Sequence, residues 1–499
     1  MIPVPLSDLV AVTGARLAGG AAELAARGAE VTGPVVVDSR LVEPGSLFVA
    51  LPGARTDGHD HAAAAVAAGA VAVLAGRELD VPCLVVDGNV EGNLDGNVDG
   101  EVDGARGQLA ALAAVARHVV DALPELVVVG VTGSSGKTST KDLLAALLAD
   151  AGPTVAPQGS FNNEIGLPLT ALRCDASTRF LVAEMGARMP GNISYLTRIT
   201  PPDVAVVLNV GAAHAGVFGS REETARTKGE LPEALGEDGV AVLNADDPLV
   251  AAMAARTRGR VVRFGLGADA DVRAADVRLD AWSRPSFTLH TPQGDATRVS
   301  LPLHGQHHVS NALAAAAVAL EAGLRPARIA ELLATARPAS RWRMEVTTRT
   351  DGVTVVNDAY NANPDSVRAA LKALAAMGRP EDGPRRRTWA VLGEMLELGE
   401  IAREEHDAVG RLAVRLDISR LVAVGEGARA VHAGASHEGS WGEESAWVPD
   451  AAAALQLLRA QLAPGDVVLV KASRSVGLEA VATALLADVP AHAGSGGAA

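Results

Sequence analysis

Three features of this 499-residue chain predict an α/β protein of three domains with a phosphate-binding loop in its central sheet. Short runs rich in Val, Leu and Ala, such as "PVVVDSR", "ELVVVGVTG" and "DVVLVKASRS", recur along the chain between helical stretches, as in mostly parallel sheets covered on both faces. "VTGSSGKTST", residues 131–140, sets a glycine-rich loop between one such run and a helix. That is the context a phosphate loop requires, because backbone N–H groups and the helix N-terminus then face the anion. Length alone allows roughly three or four domains at about 100 to 200 residues each.

Residues 1–105 read as a small α/β domain, with β-rich runs at "PVVVDSR", "SLFVAL", "AVAVLAG" and "CLVVDG". The tract "GNVEGNLDGNVDGEVDG", 88–104, repeats glycine and acid around isolated apolar residues. Such a tract cannot bury enough surface to offset its ordering, so it reads as a flexible insertion. Residues 106–338 form the central domain. There the helical period of "QLAALAAVARHVVDAL" leads into the strand "ELVVVGVTG" and the loop, and "TSTKDLLAALLADAG" is a helix with a glycine stop. Strands follow at "FLVAEMG", "VAVVLNVG" and "GVAVLNADD", then a β-rich excursion from 260 to "VSLPLHG" and the helix "NALAAAAVALEAG". Residues 339–499 make a Rossmann-like third domain, whose strands "VTVVNDAY", "TWAVLGEM", "RLVAVGEG" and "DVVLVKASRS" end in polar loops. Ligands of open α/β sheets bind beyond those carboxyl ends.

Composition narrows the chemistry. Hydrophobic residues make up 48% and charged residues 21%, an ordinary globular balance. A net charge of −15 argues against a general nucleic-acid surface, so any anionic ligand must be held by local groups. Cys83 and Cys174 lack the number for a disulfide framework and the spacing of a zinc site, which fits a reducing cytoplasm. "MIPVPLSDLV" has no charged leader before an apolar run, and "HAAAAVAAGAVAVLAG" is too short and glycine-broken to span a bilayer. The expectation is a soluble cytoplasmic protein.

The loop departs from the common phosphate-loop spelling, since counting back from Gly136 puts Val131 where a glycine is usual. It keeps what the physics needs. Gly133 and Gly136 let the backbone approach phosphate, Lys137 can reach terminal phosphates, and Thr138 can offer its hydroxyl to Mg²⁺. Glu184 and His214 each lie just past a strand end. Either alone is commonly structural, but several polar groups at strand ends of one sheet converge on one crevice.

These residues resemble the ATP-dependent Mur ligases of peptidoglycan synthesis, whose phosphate loop has the same short form. The resemblance runs along nearly the whole chain through "DSR", "DGH", "FNNEIGLPLT", "AEMGAR", "NVGAAHAG", "TKGE", "NADD", "GQHHVSNALAA", "SRWRME", "NDAYNANPDS", "LGEMLELG" and "KASRS". It implies the three-domain Mur ligase architecture and amide formation through an acyl phosphate, with ATP and Mg²⁺ as cofactors. The member adding the third stem residue would carry Asp-Tyr-Ala-His and Asn-Pro-Arg stretches. "NDAYNANP" with "LGEMLELG" instead resembles the member whose substrates are UDP-N-acetylmuramoyl-tripeptide and D-alanyl-D-alanine.

By the same resemblance, the loop residues Gly133, Ser134, Ser135, Gly136, Lys137, Thr138 and Ser139 hold ATP, Asn311 contacts adenine, and Arg341 and Asp358 reach the phosphates and ribose. Thr138, Glu184, His214 and Lys228 hold magnesium, Lys228 as a carbamate. Charge patterning alone reads Lys228, in "ARTKGELPEAL", as part of a solvated helix face. Ser39, Arg40, Asp57 and His59 match motifs used around the UDP-sugar, Asn162 and Asn163 its muramoyl and peptide part, and Tyr360, Asn361 and Asn363 the dipeptide. His308, beside the matching His307, stands where the family often has asparagine. A monomer with neither a nucleic-acid nor a membrane partner is expected. The rival readings are another Mur-type ligase, a folylpolyglutamate synthase, a P-loop NTPase without peptide substrates, and a non-catalytic scaffold.

Overall fold

The computed structural model describes residues 1–53, 56–86, 104–211, 220–294, 296–381, 383–439 and 442–488. The glycine and acid tract, apart from Gly104, and His214 lie outside these residues. Three sheets carry the α/β fold, as the sequence predicts. In the first, Val35–Val36, Leu47–Val49, Ala72–Ala75 and Cys83–Val85 run parallel, and Arg16–Ala18 adds an antiparallel edge.

The helix Arg106–Asp121 ties that sheet to the next. Its Leu112, Val115 and Val119 share one apolar core with Leu47 and Leu74 of the first sheet and Val128 and Leu181 of the second. Among the described residues the central sheet has nine strands, with Val127–Thr132 between Val204–Val207 and Phe180–Glu184. Consecutive side chains of a strand point to opposite faces. Val128 therefore enters the core shared with Arg106–Asp121, while Val129 enters a second core with the helices Lys137–Ala151 and His308–Glu321. Burial on both faces explains why "VVVG" reads as a continuous apolar run. The β-rich excursion turns antiparallel after Val272–Leu279, through Pro285–His290 and Ala296–Ser300.

Among the described residues the third sheet has six strands, in the order Glu345–Thr348, Thr354–Asn357, Val467–Lys471, Thr388–Leu392, Arg420–Val424 and Ser445–Val448. All but the first run parallel. The last described strand is thus inserted beside the second, bringing "KASRS" next to "NDAY". Among the described residues no helix is long and apolar enough to cross a membrane.

Two helices on this third sheet, Ala402–Arg415 and Arg429–Glu438, cross backbone to backbone. A Cβ at Gly410 would lie 1.9 Å from Val431 O, and one at Gly434 would lie 2.1 Å from Asp407 O. No flexible side chain can yield there, so Gly410→Ala should force the helices apart and destabilise the chain by about 1–3 kcal/mol. A thermal melt of the variant checks this, and an unchanged midpoint would contradict it.

Candidate active site

At the end of Val127–Thr132 the chain turns through Gly133–Gly136 into the helix Lys137–Ala151. Gly136 has φ +83°, and a Cβ there would stand 2.6 Å from Asn311 Oδ1, so this position accepts only glycine. The loop is held by its neighbour strand. Ser134 N–H donates to Asn209 O (3.1 Å), Ser135 N–H donates to Asn209 Oδ1 (2.9 Å), and Asn209 Nδ2 donates back to Ser135 O (3.1 Å). Lys137 Nζ donates to Gly133 O (2.6 Å). Enclosure by protein pushes the Lys137 amine below its ordinary value, with Glu184 pulling it back up and Arg343 adding to the fall.

A crevice of about 660 Å³ opens over this loop. On the central side it is lined by Ser134 to Ser139, Asn162, Asn163, Glu184 and Asn311, and on the other side by Arg343, Asp358, Tyr360, Asn361, Asn363 and Lys471. Glu184 ends the strand Phe180–Glu184 and is buried; Oε1 accepts from Asn162 Nδ2 (2.8 Å), while Oε2 has no partner. Thr138 Oγ1 lies 2.8 Å from Ser160 Oγ, and Arg343 Nη2 donates to both hydroxyls at 3.0 Å. Of the two arginines in "SRWRME", Arg343 lines the crevice, while Arg341 is exposed and outside the lining. Trp342 at φ +59° and Met344 at φ +49° bend the chain on either side of Arg343, and its guanidinium covers the Tyr360 ring at 4.3 Å.

Asp358 is pinned from two sides, accepting from Lys471 Nζ (2.6 Å) and from Met344 N–H (3.0 Å). Lys471 also donates to Asn361 O (2.9 Å), and burial lowers its amine despite the Asp358 charge. Asn363 caps the helix Pro364–Gly378 and sends Nδ2 to Ser134 O (3.1 Å), so the third domain touches the phosphate loop itself. Sequence reasoning missed Asn209, Ser160, Arg343 and Lys471. The signal was present for two of them, in the "LNVG" and "KASRS" strand ends.

The other expected site residues lie apart. Asp57 Oδ1 accepts from His59 N–H (3.0 Å) and lies 2.6 Å from Nδ1, while Nε2 accepts from Gly76 N–H (3.1 Å). Both ring nitrogens of His59 thus hold a turn. Arg40 pairs with Asp38 and is 87% exposed. None of Ser39, Arg40, Asp57 and His59 lines the crevice. Lys228 is only 2% exposed, ending the helix Arg221–Lys228 with Thr224 and Thr227 on the same buried stripe. The solvated-face reading is corrected accordingly. Burial holds its amine well below the ordinary lysine range, and the charge of Lys137 adds to the shift.

Three family models match successive parts of the chain. A Mur ligase family catalytic domain matches residues 34–116, a Mur ligase middle domain 131–319, and a Mur ligase glutamate ligase domain 342–474. The chain belongs to the Mur ligase family. A UDP-N-acetylmuramoyl-tripeptide–D-alanyl-D-alanine ligase of Mycobacterium leprae is 54% identical over 98% of this chain and 99% of its own length. The protein of that name in Escherichia coli K12 is 36% identical over 97% of this chain and 99% of its own. Among solved structures, MurF from Acinetobacter baumannii superposes with a TM-score of 0.81 at 30% identity, covering 97% of this chain and 99% of that one. The MurF ligase of Thermotoga maritima in complex with ADP gives 0.75 at 29%, covering 92% and 98%.

The crevice also predicts a pH dependence. Burial pushes His307 down to about 4, against the pull of Asp358. Unfolding returns the ring to its ordinary 6.5. Between those values the unfolded chain binds the extra proton, so this stability is present above 6.5 and is lost as pH falls through that window. In urea unfolding, the wild-type chain should lose more stability from about pH 7 to pH 5 than His307→Gln does. Parallel losses would assign the effect to other groups.

Proposed function

We propose that this chain is an ATP-dependent amide ligase that joins D-alanyl-D-alanine to UDP-N-acetylmuramoyl-tripeptide in peptidoglycan synthesis. The observation that carries the reading is the convergence on one crevice of the phosphate loop, Glu184 and the third-domain residues Arg343, Asp358 and Asn363. End-to-end relatives of that name support it, as does the neighbour solved with ADP for the nucleotide. A reaction that consumes ATP fits a cytoplasmic place of work.

Carboxylate and ammonium do not condense at neutral pH, so the tripeptide's terminal carboxylate takes the γ-phosphoryl group of ATP, releasing ADP. The dipeptide amine then attacks the acyl carbon, the amide bond forms, and phosphate leaves. In the first step two anions must meet, and Lys137 and Arg343 supply the fixed positive charge that offsets their repulsion. Asn363 and the phosphate loop share a hydrogen bond, so nucleotide and acceptor are brought together by approach of the third domain. Asn311 lies against Gly136, at the adenine end of our assignment.

The residues fit a magnesium ion. Glu184 Oε2 is buried without a partner, Thr138 adds a hydroxyl, and such oxygen donors are what Mg²⁺ takes. Bound there, the ion would neutralise charge on the phosphates being transferred. We assign Lys228 a carbamate formed with CO₂, a reaction that consumes the neutral amine its burial favours. His214 and the UDP-sugar roles of Ser39, Arg40, Asp57 and His59 stand with this proposal.

The deciding assay is ADP release with UDP-muramoyl tripeptide, in the presence and absence of D-alanyl-D-alanine. Release should depend on both; release without either substrate would favour a plain NTPase. Lys137→Ala should lose about a hundredfold or more in kcat with an unchanged melting midpoint. Lys228→Ala should be nearly inactive, and added acetate or formate should partly restore turnover. Full activity of Lys228→Ala in bicarbonate-free buffer would remove the carbamate.

A further inference from the structure

Lys141 and Asp142 are adjacent residues on the phosphate-loop helix, both buried in a place where the ligase chemistry has no use for them. Lys141 Nζ pairs with Asp142 Oδ1 and donates to Pro157 O (3.0 Å) and Ser340 Oγ (3.3 Å). The other carboxylate oxygen, Oδ2, accepts from the backbone N–H groups of Ala339 (3.2 Å) and Ser340 (3.0 Å). Ser340 Oγ closes the ring to Oδ1 (3.3 Å). A buried ion pair is weak support for stability as such. What this one does geometrically is more specific: it captures the linker between the central and third domains, from inside the helix that carries Lys137 and Thr138.

Three residues after Ser340 the same linker delivers Arg343 to Thr138, on the first turn of that helix. Between and beyond them, Trp342 and Met344 hold left-handed backbone angles that cost energy for non-glycine residues. A short, strained segment fixed at one end has little freedom at the other. We infer that Asp142, with Lys141 and Ser340, is a positioning residue that sets where Arg343 meets the nucleotide, acting through the linker and without touching substrate.

This inference rests on the ligase reading, and its test separates the two. In the full chain, Asp142→Asn, Ser340→Ala and Arg343→Lys are made singly, and the first two are each combined with Arg343→Lys. Melting midpoints are recorded, together with ADP release, affinity for a non-hydrolysable ATP analogue and amide exchange of residues 339–344. Asp142→Asn should speed exchange of the Ala339 and Ser340 amides and lower kcat by about tenfold to a hundredfold. KM for the dipeptide should stay as it was. Added to Arg343→Lys, either linker change should cost little more in kcat or in analogue affinity, because the group it positions is already altered. Losses that multiply, or a folded Asp142→Asn chain with wild-type kcat, would overturn the inference. Should Asp142→Asn fail to fold, the Ser340→Ala cycle decides by the same criterion. A wild-type chain that releases no ADP with both substrates would instead count against the ligase reading.

Discussion

Positive charge gathered at the meeting point of two sheets is the constraint on which the rest of this structure depends. The chain as a whole carries −15, yet Lys137, Arg343 and Lys471 line one crevice and Lys228 lies buried close enough to feel Lys137. Lysine amines held in poorly hydrated surroundings are costly unless paired. Lys471 has Asp358 as its partner. Lys137 spends its nearest hydrogen bond on a neutral carbonyl, Gly133 O, and burial depresses its amine against the pull of Glu184. An incoming polyphosphate relieves that cost, so the site's affinity for anions is built into the fold as unfinished pairing.

Holding such a site across two domains requires anchors away from the charge. The linker is one, fixed by Asp142. The antiparallel excursion supplies another. Between Val272–Leu279 and Pro285–His290 it carries Trp282 against the apolar core of the third domain, where Arg386 stacks on the ring at 4.2 Å and donates to Ala281 O (2.8 Å). A hairpin with no catalytic residue thus sets the distance between the sheets. Gly211 makes room at the interface, since a Cβ there would meet Asp365 Oδ2 at 1.8 Å.

Much of this was legible in the sequence, and the exceptions have physical causes. Strand, loop and helix order were readable because burial on both faces leaves unbroken apolar runs, as in "ELVVVGVTG". The burial of Lys228, a residue singled out only by the family resemblance, was not readable from hydrophobic periodicity, because its buried stripe consists of Thr224, Thr227 and Lys228. The choice between Arg341 and Arg343 in "SRWRME" turns on backbone reversals at Trp342 and Met344, which neither residue type announces. Asp57 and His59 were expected around the UDP-sugar. Their mutual bond and the Gly76 contact show that a motif can also be kept for the turn it builds.

The short spelling of the phosphate loop has a structural reason. Val131 is not loop at all: it pairs with Glu184 and Val206 inside the sheet, leaving Gly133 to Gly136 to make the whole turn. Asn209, just past the end of the neighbouring strand Val204–Val207, braces this turn, taking the N–H groups of Ser134 and Ser135. Those two donors are then lost to phosphate. The first intrahelical bond runs from Thr140 N–H to Gly136 O, so the N–H groups of Gly136, Lys137, Thr138 and Ser139 have no partner within the helix. Those N–H groups stand where the helix dipole also favours an anion. Lys137 and Thr138, to which we assign the phosphate and the cation, stand on that same first turn, so one rigid element presents side chains and backbone donors together.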